Sequence, residues 1–239
     1  MNEQASRRRS SFFANGALVI AGLVLLSFAG TYFVPMATKG ESYTLLRHLH
    51  GLTFFAWVAL YVIQTRLVLT GGIRLHRELG IAGVAIAGAM LPLGIWMAQA
   101  AGFERMGRGA PQPFETSFYN LADMTLFSLA FGAAIYAASR HVEWHRRLMF
   151  IAALNLLGPA ISRLTPLLPL PFPWADMAPS VLADTLLIAL AIHDRRQLGR
   201  IHPATALAAL LLVPFHVIDP FIVKSAWWNG LAPALFGAG

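Results

Sequence analysis

The amino-acid sequence predicts an all-α integral membrane protein, a bundle of about seven transmembrane helices with a cytoplasmic N-terminus. Three observations predict it. Of the 239 residues, 57% are hydrophobic and only 12% charged, far from the balance of a soluble domain. Apolar stretches near the roughly 20 residues that cross hydrocarbon recur at 16–36, 51–70, 79–101, 118–138, 148–168, 178–193 and 203–223. The 18 Lys and Arg residues alternate in density, twelve at the N-terminus and every second loop, among them Arg74, Arg146 and Arg195, and six at the others. That bias places the N-terminus inside and, with seven passes, the C-terminus outside. The net charge of +7 is therefore a topology signal, with some contact to anionic lipid, and not a nucleic-acid footprint.

The elements follow in order. Residues 1–15 form a basic cytoplasmic N-terminus with Arg7, Arg8 and Arg9. The apolar run behind it resembles a signal peptide, with Ser27-Phe28-Ala29 as a cleavage site, but it continues to Phe33 and further spans follow. It reads as a retained first helix. The second helix opens L-R-H-L-H-G at 46–51, where two histidines two residues apart point about 200° from one another. His50 is expected to face the interior, because Gly51 lets a neighbouring helix approach, and His48, beside Arg47, the headgroups. In the third helix Gly80, Gly83, Ala87 and Gly88 suit close packing. The stretch 102–117 is a turn-rich outer loop. Asn120 and Asp123 share a face of the fourth helix. The fifth, at 148–168, is interrupted, and the sixth, at 178–193, is short and carries Asp184. The seventh carries His216 and Asp219 between Pro214 and Pro220. Residues 225–239 form an outer tail, anchored with the second outer loop by Trp174, Trp227 and Trp228. One helix plus three hairpins describes the single transmembrane domain, 16–224.

H-L-H-G, Trp57, Gln64-Thr65, H-R-E-L-G and H-R-R-L-M together resemble the bacterial DUF2306-like multi-pass membrane family over roughly residues 45–165. The resemblance implies an all-helical core in a bacterial inner membrane and supplies no reaction. Histidines at helix ends give a looser architectural likeness to cytochrome b561-type haem bundles. With no cysteine in the chain, disulfides, iron–sulfur clusters and thiolate metal sites are excluded.

Two candidate sites follow. On the outer side, Asp123, Asp184 and His216 lie at similar depth, and with His50, Asn120, Asp219 and Arg163 they line one outward-opening pocket if their helices are neighbours. Ionisable groups inside a span face a bundle or a wet cavity. The imidazoles of His50 and His216 would ligate haem b or a divalent metal, and the carboxylates would fix their tautomers. The plainer alternative is that Asp123 and Asp184 complement helix N-termini while Arg163 or Lys224 pairs with an acid. On the inner side, His76, His141, His145, His193 and His202 read as interfacial groups beside Arg. His76 and His145, each followed by Arg at a helix start, form the second candidate site. Met90, Met97 and Met149 read as core filler.

Three functions fit these residues: a b-type haem or redox protein; an accessory protein or small-molecule transporter with a membrane redox or transport partner; and a membrane-embedded metal hydrolase, which resembles ceramidase-like enzymes without their full histidine pattern.

Overall fold

The computed structural model describes residues 3–40 and 42–238, with side chains from Ser11 onward; the Arg7–Arg9 side chains lie outside the described residues. The architecture is all-helical, with no strand among the described residues. Helix α1 (Glu3–Phe28) runs through a π-turn at Ala29–Phe33 into α2 (Val34–Thr38). The hairpin α3 (Leu45–Thr70) and α4 (Ile73–Gly107) follows, then α5 (Ser117–Ala137), α6 (Val142–Leu154) and α7 (Leu157–Ile161). The chain ends with α8 (Trp174–Leu198), α9 (Pro203–Val223) and α10 (Ala226–Leu235).

Six of these helical segments are long and apolar enough to cross a membrane. The fifth expected span is the exception. It breaks after Leu154, resumes for five residues as α7 and closes in a 3-10 turn at Thr165–Leu167. Pro159 explains the break locally, because it has no N–H to return to the Asn155 carbonyl. The sixth expected span is not short. Its helix runs 25 residues, since the charged Asp176, Asp194, Arg195 and Arg196 continue the turn of an apolar centre.

Turn chemistry sets the hairpins. Gly71, at φ +84°, closes α3 with its N–H on the Leu67 carbonyl, and Gly199, at φ +71°, closes α8 on Arg195. Both are left-handed positions that glycine takes without strain. His202 caps α9, its Nδ1 accepting from the Ala204 N–H at 3.1 Å ahead of Pro203. The result is a bundle with a turn end, at Gly71, and a loop end, at the 102–117 connection.

Helix α1 sits in the middle, packed on α3, α6, α7 and α8, with Ala14, Ala17, Ile20 and Val24 buried. The outer surface is apolar instead: Ile81 is 76% exposed and Leu210 70%. Water would penalise such a surface and lipid does not, so an α-helical membrane bundle accounts for it. The close helix approaches fall at Gly16 and Gly94, where a Cβ would meet Phe150 at 2.5 Å and Met124 at 2.8 Å, and at Gly102 a Cβ would run into the Phe114 ring of the following loop. Gly83 has only ordinary contact with Leu60, and Gly88 has open space. Residues 225–239 are not a free tail. Trp228, Ala232 and Phe236 pack with Ala98 and Phe114, and the Trp228 indole donates to the Glu115 carbonyl at 3.0 Å. Of the expected anchors, Trp174 and Trp227 remain exposed.

Candidate functional site: a polar cavity at the loop end

At the loop end α1, α3, α4, α5 and the segment after α6 enclose a cavity of about 440 Å³, within the range of small-molecule sites. Its walls are mostly apolar, from Phe28, Phe54, Phe55 and Met97 among others. The polar groups on it are few: Thr31, Arg47, His50, Asn120, Asp123, Arg163 and the Tyr32 and Tyr43 rings. His50 lies on Phe54, ring centroids 4.2 Å apart, and its Nδ1 is buried without a hydrogen-bond partner. His48 turns the other way and shares a 2.6 Å hydrogen bond with the Tyr32 hydroxyl. Gly51 admits no neighbouring helix, contrary to the reason given for it above; nothing lies within 4 Å of where its Cβ would be, and it opens onto the cavity.

The cationic groups differ in their compensation. Arg47 pairs with Glu104, which also holds Arg108. Lys224, just past α9, donates to Glu115, and that bond holds its ammonium above its ordinary pKa. Arg163 has no such acid: its guanidinium donates to the Pro159 carbonyl and stacks 4.0 Å over the Phe28 ring.

Asp123 faces two spaces. It lines the large cavity and also a second one of about 10 Å³, which it shares with Asp184 and His216. That volume holds about one water. His216 Nδ1 lies 3.0 Å from Asp184 Oδ2, so the carboxylate holds the imidazole from α8 to α9. Asp219 is buried beside them with its Oδ1 unpartnered. Pro220 removes the amide that would bond the His216 carbonyl in the α-helix.

The structure thus brings the expected loop-end residues together, but around two adjoining spaces instead of one pocket. His50, Asn120 and Arg163 line the larger, Asp184 and His216 the smaller, and Asp123 the wall between. A haem held axially by both His50 and His216 does not fit this arrangement, because the space beside His216 admits no macrocycle. Among the described residues no three of His, Asp or Glu gather closely enough to hold a metal ion.

At the turn end, His76 and His145 meet edge to face, centroids 6.4 Å apart. His145 Nδ1 donates to the Ala134 carbonyl at 2.8 Å. His76 Nδ1 is buried without a partner. His193 is buried in the bundle and stacked 4.0 Å on Phe12.

Sequence reasoning missed the most buried ion pair among the described residues. Arg147 is 1% exposed and Asp194 fully buried, and Arg147 Nε donates to Asp194 Oδ1 at 2.8 Å. The other carboxylate oxygen accepts from Thr205 Oγ1 at 2.6 Å and from the His202 amide at 3.1 Å. The available signal was periodic. Arg147 precedes Phe150, Ile151 and Leu154 by three, four and seven residues, so it shares their buried face.

Compared with family models, curated proteins and solved structures, the chain matches none.

Proposed function

We propose that this protein binds a small molecule in the loop-end cavity and works as a carrier or accessory protein of a bacterial inner membrane, with a transport or redox partner in the same bilayer. One observation carries the reading. His50, whose Nδ1 is buried without a hydrogen-bond partner, converges with Asp123 and Arg163 on one mostly apolar cavity. Buried polar groups are normally satisfied, so unsatisfied ones around a cavity mark where a ligand supplies the partner. The roles expected of a ligated haem or metal give way to this because His50 and His216 face different spaces.

The test is a thermal-shift screen of small organic acids, amines and lipids against the purified chain, with His50→Ala and Asp123→Asn beside it. A true ligand at 100 times its Kd stabilises the wild type by about 2.7 kcal/mol. Both variants should lose that shift while melting normally without ligand. A ligand whose shift survives both substitutions binds elsewhere and defeats the reading.

A further inference from the structure

Resting on that reading of the cavity, we infer its ligand class: a single-tailed anionic amphiphile, its carboxylate or phosphate at the Arg163 guanidinium and its chain along Phe54, Phe55 and Met97. Arg163 and Asp123 are the two cavity groups without an opposite charge within 4 Å, and they do not pair with each other. Their situations are not symmetrical. A carboxyl can lose its charge by taking up a proton, whereas a guanidinium cannot give one up in a protein. A cation that stays charged on an apolar wall needs a counter-anion.

The geometry suits one. Phe28 covers one face of the guanidinium at 4.0 Å, and the Pro159 carbonyl takes one donor. Of the five N–H groups in the fork, the others remain available to two oxygens side by side. Arg47 differs from Arg163 in already having an acid partner, Glu104, which it shares with Arg108. Asp123 abuts Gly158, five residues before Arg163, and a carboxyl that has taken up its proton leaves the guanidinium as the charged group for an anion to meet. The remaining wall offers rings and a thioether that match a hydrocarbon chain.

The experiment measures binding of radiolabelled laurate, dodecyl phosphate, dodecanol and dodecylamine to the full chain in phosphatidylcholine nanodiscs. Laurate and dodecyl phosphate should bind saturably, one per chain, and dodecanol at least tenfold more weakly. Arg163→Gln should weaken laurate tenfold or more without weakening dodecanol, and Arg163→Lys should recover part of the loss. Gly51→Phe, which puts a ring into the open space, should abolish binding of every probe and provides a control if Arg163→Gln does not fold. Dodecanol equal to laurate, dodecylamine tighter than laurate, or laurate indifferent to Arg163→Gln overturns the proposal. If Gly51→Phe still abolishes binding in those cases, the cavity remains a ligand site. If no probe binds, or Gly51→Phe leaves binding unchanged, the site reading falls too. Mass spectrometry of co-purified material separates the sources. An anionic lipid on the wild type that is missing from Arg163→Gln supports a bilayer ligand. Its absence, with hexanoate binding from solution, supports a water-borne one.

Discussion

At the scale of single residues, His202 shows how a helix cap becomes a pH sensor. Its Nδ1 accepts the Ala204 N–H, which only an unprotonated Nδ1 can do. Burial first, and then the Arg147 charge, hold its pKa below the ordinary histidine value of 6.5. The folded chain therefore resists a proton that the unfolded chain accepts. Its contribution to stability is whole above about pH 6.5 and is lost as pH falls below that value. His202→Asn keeps a good cap without the titration, so its melting temperature should fall less than the wild type's between pH 7.5 and 5. Equal falls would show that His202 is not the sensor. The glycines make a second residue-scale contrast. Gly102→Ala drives a Cβ into the Phe114 ring and should cost about 1–3 kcal/mol. Gly51→Ala meets open space in a helix and should be neutral or stabilising by up to about 1 kcal/mol. Thermal unfolding of the pair in detergent ranks them; the reverse order would mean that Phe114 packs on α4 more loosely than described.

At the scale of elements, the bundle is held at its turn end by one buried clamp, Arg147 on α6 to Asp194 on α8 and on to Thr205 of α9. Arg147 also pairs with Glu143, so the two truncations are unequal: Arg147→Met strands the Asp194 carboxylate and should cost about 3–5 kcal/mol, whereas Asp194→Leu leaves the guanidinium on Glu143 and should cost less. The double variant should be milder than Arg147→Met alone, since the stranded carboxylate is gone; a double variant at the sum of the two would mean that the residues act independently. The clamp also shows what was legible beforehand. Hairpins, turns and the depth of His50, Asp123, Asp184 and His216 follow from local pattern, such as Gly71, Gly199 and the spacing of apolar runs. The Arg147–Asp194 partnership does not, because 47 residues separate the two and only the packed bundle makes them neighbours. For the same reason Asp123 was readable as an intramembrane acid but not as the wall between two spaces. Gly94 and Gly102 escaped notice because a close approach depends on what the opposing segment presents, here Met124 of α5 and Phe114 of the loop before it.

At the scale of the whole molecule, lipid decides which way the bundle points, through charges that the packing does not use. Arg74 and Arg140 are exposed at the turn end, and with the basic N-terminus and Arg195–Arg196 they carry most of the cationic excess. The turn end should therefore face the cytoplasm and the cavity at the loop end the opposite side. The broken segment is the critical one. If α6, α7 and the turn behind them cross, residues 140 and 171 lie on opposite sides and the C-terminus is outside. If they fold back, the two lie together and the loop-end cavity loses one wall to the wrong face. The chain has no cysteine, so single substitutions report directly. Cysteine at position 74 or 140 should resist a membrane-impermeant maleimide added to intact cells and react after permeabilisation. Cysteine at 109 or 171 should react before it. Labelling of 140 and 171 from the same side would leave six crossings and put both termini in one compartment, and labelling of 74 from outside would invert the bundle.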